Sequence, residues 1–160
     1  MDKYLINNLE FAESKRDLTG EIALKNLPRL LELLDAPLVN EAEHVVKFAL
    51  SGAHAYDMPS LQLNMTAVMP MQCQRCLEAL DVPMSLHYDY VLSDAEPTEL
   101  EESDEVDWLE ISQAMDLNAL IEDELLIALP IAPTHAAGCQ AQKMESGEKP
   151  NPFAVLKGKF

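Results

Sequence analysis

The chain reads as an α+β fold in which an antiparallel β-sheet, barrel-like or open, is crossed by one main helix. Residues 61–77 and 86–92 alternate apolar and polar side chains, the period of two that turns one face of a strand toward a core. Residues 116–129 repeat apolar side chains at helical spacing instead. Strand-like runs follow one another, punctuated by Ser51-Gly52 and Pro83, which favours an antiparallel meander.

In chain order, residues 16–23 are a short extended candidate with Leu18 and Ile22 on one face and Gly20 between them. Pro28 suits the first turn of a short helix over residues 28–35, and Pro37 stops it. Residues 44–50 alternate again, with Val46, Phe48 and Leu50 on one face, and Ser51-Gly52 is expected to end that strand in a turn. The longest strand carries Leu61, Leu63, Met65, Ala67, Met69, Met71 and Cys73 on one face and ends in Cys73-Gln74-Arg75-Cys76. Residues 77–80 then form a brief segment that Pro83 interrupts, before Leu86, Tyr88, Tyr90 and Leu92 alternate as the next strand.

Eight of the fifteen residues in 93–107 are acidic and none is basic, so this stretch is expected to be a mobile, solvated loop. Trp108, Leu109 and Ile111 re-enter the structure. In the main helix, Asp116 suits the N-cap, Leu117, Leu120, Ile121, Leu125 and Ala128 share a face, and Pro130 ends the run. Glu122 and Asp123 are expected to point away from the core. Glu124 falls within the apolar face, where an unpaired carboxylate is costly, so it either pairs with Arg75 or sits near a rim and reaches water.

Length and composition suit one domain with a real core: 160 residues, 48% hydrophobic. Residues 1–139 are assigned to a single α+β domain and 140–160 to a flexible linker with a tail, Lys149-Pro150-Asn151-Pro152-Phe153-Ala154-Val155-Leu156. There Asn151 can cap and Pro152 can start one helical turn that presents Phe153 and Leu156, an apolar handle for the chain's own domain or for a partner. Met1 to Asn8 has no basic-then-apolar leader pattern, and no run approaches the roughly 18 apolar residues of a membrane span, so a cytoplasmic location is expected.

The net charge of −17 is unevenly placed. Residues 48–142 hold 17 acidic side chains against Arg75 alone, while the rest of the chain is close to neutral. Such a field repels phosphate and attracts a basic protein surface.

Cys73 and Cys76, with His135 and Cys139, give C-x2-C followed by H-x3-C, four donors able to close a tetrahedral structural zinc site. Two free cysteines near a turn are the plainer alternative. Dithiol redox chemistry wants a substantial helix directly after the motif, and Pro83 leaves little room for one. The sequence has neither a G-x-S-x-G motif nor a Gly-rich phosphate loop with a Lys, and its histidines are scattered, so no enzyme and no small-molecule substrate are expected.

Three stretches carry a resemblance: Cys73-Gln74-Arg75-Cys76; residues 122–135, which read EDELLIALPIAPTH; and the 149–156 tail. In this order and spacing they resemble the YceD family, the large ribosomal RNA subunit accumulation proteins. The resemblance implies a non-enzymatic role in synthesis, processing or stability of large-subunit (23S) ribosomal RNA. It places the family's thiol pair on Cys73 and Cys76, its helix acid on Glu124, and its tail motif on Asn151, Pro152 and Phe153. Combined with the acidity, it points to a basic ribosomal or rRNA-processing protein as partner, contacted through Arg75, Glu124 and the tail with Leu156. The alternatives are direct binding of structured RNA through Lys15, Arg16, Lys25 and Arg29 or the 149–159 tail, and a zinc-stabilised module that only presents its tail.

Overall fold

Alternation along the sequence becomes a five-stranded sheet. The computed structural model describes residues 4–34, 44–98 and 105–141, with Pro152 and Gly158. The elements are β1 (Leu5–Ile6), α1 (Asn8–Glu13), β2 (Asp17–Ala23), a 3-10 turn (Leu24–Asn26) and α2 (Pro28–Leu33). They continue with β3 (Val45–Ala55), β4 (Met58–Gln72), β5 (Ala79–Ser93), β6 (Asp107–Glu110), β7 (Met115–Asp116) and α3 (Leu117–Ala128). The main sheet has the order β2-β3-β4-β5-β6, antiparallel except for β5 with β6, and β1 pairs with β7 apart from it. The sheet stays open, with β2 and β6 at its edges, instead of closing into a barrel.

The core lies on one face of that sheet. On β4, Leu61, Leu63, Met65, Ala67 and Met69 are buried while Gln62, Asn64 and Thr66 between them are exposed, as the alternation requires. Val46, Phe48 and Leu50 of β3 extend the same surface, and Phe11, Leu30, Leu117, Ile121 and Leu125 of the three helices close over it.

Two strands run further than expected. β3 continues through Ser51-Gly52, and the reversal comes at Tyr56 and Asp57, whose φ angles of 53° and 57° suit a tight hairpin. Gly52 serves close approach instead: a Cβ there would press on the Phe11 carbonyl oxygen and stand 2.9 Å from the Ala12 Cα. β5 passes through Pro83, which pairs with Val68 of β4. Its other side meets β6 only from Tyr90 onward, so Pro83 sits where β5 is an edge and the missing N–H need not break a ladder.

Short elements escaped periodicity altogether. Asn7 caps α1 by accepting from the Glu10 N–H at 3.2 Å, and the buried Asn8 side chain ties α1 to the turn after β6, donating to the Glu110 carbonyl and accepting from the Ser112 N–H, both at 2.9 Å.

α3 buries Leu117, Ile121 and Leu125 as expected, but its acids are placed differently. Asp116 does cap it, accepting from the Ala119 N–H at 3.1 Å, but Glu122 is 5% exposed and turns inward, while Glu124 is only half-buried. The cause lies on α2, which begins Leu27-Pro28 and has no capping side chain of its own. Glu122 Oε1 supplies that cap from a distance, accepting from the N–H groups of Arg29 at 2.7 Å and Leu30 at 3.0 Å. Arg29 then pairs with Glu122 at 3.1 Å and with exposed Asp123 at 2.7 Å, so both acids that were expected to face away converge on one arginine. Of the acidic stretch, residues 99–104 lie outside the described residues, as do Asn151, Phe153 and Leu156; Pro152 is exposed.

Candidate metal centre

The strand alternation that buries β4 carries its last member, Cys73, to the core side of the sheet's end. The chain then turns through Gln74, Arg75 and Cys76 and passes Leu77, held at φ 62°, into β5. Two hydrogen bonds shape this turn: Leu77 N–H to the Cys73 carbonyl and Cys73 N–H to the Glu78 carbonyl, each 2.9 Å. Both thiols end up buried and facing one side.

The segment after α3 comes to meet them. The Gln74 N–H donates to the Pro133 carbonyl at 2.8 Å, and two residues on, His135 places Nδ1 3.4 Å from Cys76 Sγ. Cys139 Sγ lies 3.8 Å from Cys73 Sγ, and no disulfide forms. Ligand atoms of Cys73, Cys76, His135 and Cys139 all fall within 4.8 Å of one another. The structure thus brings together the four residues that the spacing singled out.

Does this set fit a zinc ion? A regular tetrahedron with zinc–sulfur bonds near 2.3 Å has edges of about 3.8 Å between sulfurs and about 3.5 Å between sulfur and nitrogen. The observed 3.8 Å and 3.4 Å separations match those edges. The histidine tautomer fits as well: Nε2 lies 3.2 Å from the Ala79 carbonyl, a pure acceptor, so Nε2 carries the proton and Nδ1 keeps a bare lone pair toward the sulfurs.

Electrostatics favour a cation at the centre. Burial opposes ionisation of Cys73, yet N–H groups of Cys76, His135 and Arg75 directed at its sulfur outweigh burial and hold the thiol down at about 5. For Cys76 the Glu78 N–H also favours the thiolate, but burial and the facing sulfurs of Cys73 and Cys139 win and push it up. One thiolate is ready, and a second next to it needs a positive charge between them.

Arg75 points the same way, with its guanidinium 3.9 Å from Cys139 Sγ. It does not pair with Glu124. That carboxylate accepts instead from the Tyr90 hydroxyl at 2.7 Å, and burial followed by this bond raises the Tyr90 pKa. Sequence reasoning missed Tyr90, although a tyrosine on a core-facing strand needs a partner for its hydroxyl. It missed Glu122 too; the signal there was a helix opening on Leu27-Pro28 with no cap of its own.

Comparison with known proteins agrees with this set of motifs. Residues 61–158, which span the Cys pair, α3 and the tail, match the family described as "Large ribosomal RNA subunit accumulation protein YceD". The chain belongs to the YceD family. A curated YceD relative from Haemophilus influenzae, a large ribosomal RNA subunit accumulation protein by name, is 27% identical over 165 residues, covering 94% of this chain and 91% of its own length. No solved structure matches. Among the described residues of this YceD chain, no helix is long and apolar enough to cross a membrane.

Proposed function

We propose that this protein supports accumulation of large-subunit ribosomal RNA as a non-enzymatic assembly factor, by binding a basic ribosomal or rRNA-processing protein. The observation that carries the reading is the combination of YceD family membership with 17 acidic residues against Arg75 across residues 48–142. A surface of that sign attracts a basic protein over a Debye length and repels naked RNA.

The state of the cations supports the same choice. Arg29 is engaged by Glu122 and Asp123, Lys47 by Glu21 at 3.8 Å, and Arg75 leans on the thiol cluster. Lys15 and Arg16 precede β2 and Lys25 follows it, so the strand holds these cations about 20 Å apart at roughly 3.3 Å per residue. They form no dense phosphate-binding patch.

In this reading Cys73, Cys76, His135 and Cys139 hold a structural zinc. Three thiolates and an imidazole fill all four tetrahedral positions and leave none open for a reacting water, the pattern of structural sites. Bound there, the ion would tie the β4–β5 tip to the segment after α3, and Arg75 would offset the excess negative charge of three thiolates.

An affinity pull-down from growing cells, split into nuclease-treated and untreated halves, tests the proposal. A basic ribosomal or processing protein that stays bound after nuclease supports it. Loss of every partner together with the RNA would overturn it in favour of direct RNA recognition.

A further inference from the structure

Beside the thiol cluster lies a groove of about 500 Å³, lined by apolar side chains together with Gln72 and Gln74, within the size range of sites that take a compact ligand. One wall is the end of α2 with Leu33 and Leu34; the floor is Met71, where β4 ends; the far wall is Leu129, Pro130 and Ile131 after α3. Among the described residues, no charged one lines it. Leu33, on α2, is 64% exposed, and Ile131, just after α3, fully so. Apolar side chains grouped around a concave surface mark an interaction site more often than scattered ones do.

We propose that this groove seats the chain's own C-terminal segment, with Phe153 and Leu156 as its anchors. Three observations favour that occupant. Phe153 and Leu156 are three residues apart behind Asn151-Pro152, so a single helical turn presents both on one side. Residues 149–160 carry Lys149, Lys157 and Lys159 and no acid, while the body they return to holds 17 acids against Arg75 over residues 48–142. The connection is also long enough to return to the groove from the thiol cluster beside it. Gln74 and Pro133, which line it, are joined by a hydrogen bond at the edge of the cluster that Cys139 completes, and the twelve residues from Ala141 to Phe153 reach about 40 Å when extended.

Tethering makes docking of the segment intramolecular, at an effective concentration in the millimolar range for a short flexible connection, so modest apolar contact suffices. The other undescribed stretch next to the groove, residues 35–43, carries Asp35, Glu41 and Glu43 and no cation, and so lacks the charge complementarity of the tail.

Nuclear Overhauser contacts in the full-length protein, with protonated Phe and labelled Ile and Leu methyls, test this directly. Contacts are expected from the Phe153 ring to the Ile131 and Leu33 methyls, unchanged on tenfold dilution and lost in Phe153→Ala. Ile131→Asp, at an exposed position that can take a charge without unfolding the chain, should speed trypsin cleavage after Lys157 at least tenfold. Methyl shifts identical in wild type and Phe153→Ala would overturn the proposal. So would contacts that fade on dilution, which indicate a second copy, or contacts from Leu38 or Val39 in place of Phe153.

Discussion

Replacing Glu122 by alanine removes the cap on which α2 depends. Glu122 Oε1 accepts from two backbone N–H groups at 2.7 and 3.0 Å, and its Oε2 meets the Arg29 guanidinium at 3.1 Å. A buried N–H left without an acceptor costs about 1–3 kcal/mol, and loss of a side-chain cap typically costs about 1 kcal/mol. The ion pair adds little, because the Arg29 side chain is half-exposed and screened by solvent. The expected loss for Glu122→Ala is about 3 kcal/mol, or roughly 6–12 °C in Tm for a chain of this size. Glu122→Gln keeps an amide oxygen for the two N–H groups and should cost about 1 kcal/mol, mostly the lost charge. Asp123→Ala, one residue along, removes an exposed pair only and should stay within about 0.5 kcal/mol of wild type.

Urea unfolding followed by far-ultraviolet circular dichroism reads all three variants on one scale, with an unchanged m-value confirming that stability alone has moved. Glu122→Ala within about 0.5 kcal/mol of wild type would refute the distant-cap argument. Equal damage from Glu122→Gln and Glu122→Ala would show that charge, not the acceptor geometry, holds α2.

Elemental analysis should find about one zinc per chain, lost in Cys76→Ser, with a chelator lowering the Tm of wild type but not of that variant. Gly52→Ala should cost about 2 kcal/mol in thermal unfolding, since the new methyl meets backbone of α1 that cannot rotate aside. Charge reversals at Arg75 and Glu124 should be additive in a double-mutant stability cycle, because Glu124 bonds Tyr90 and Arg75 faces Cys139. The native fold keeps Tyr90 protonated beyond the ordinary pKa near 10, so it binds more protons than the unfolded chain at alkaline pH. Its contribution is therefore intact below about pH 10 and lost as pH rises further; Tyr90→Phe should flatten that part of the stability profile.

Period-two alternation made β4 readable because Leu61, Leu63, Met65, Ala67 and Met69 all face one core, and α3 because Asp116 and Pro130 punctuate it. The four thiol and imidazole donors were legible because metal ligation demands particular residue types, whatever the distance along the chain between them. Glu122 and Gly52 were misread for one shared reason: each owes its role to a distant backbone, the α2 N-terminus and the α1 carbonyls, that no local pattern encodes. Arg75 and Glu124 were paired by opposite charge within an acidic region, yet burial of the Tyr90 hydroxyl decided the partner of Glu124.

The position of the thiol cluster follows from what the chain beyond α3 lacks. Across residues 130–141 only Pro133 is buried, and no helix or strand forms. Holding about twelve such residues in one conformation costs roughly 1 kcal/mol each or more in backbone entropy. The hydrogen bonds from Gln74 to the Pro133 carbonyl and from His135 to the Ala79 carbonyl return about 1 kcal/mol apiece. The deficit is then at least about 10 kcal/mol, and a structural zinc, if held there as proposed, would contribute apparent binding energies of about 10–16 kcal/mol. On the proposed zinc reading, a tie of that strength would let an uncored segment lie across the tip of the sheet, with two donors from the turn after β4 and two from the segment after α3.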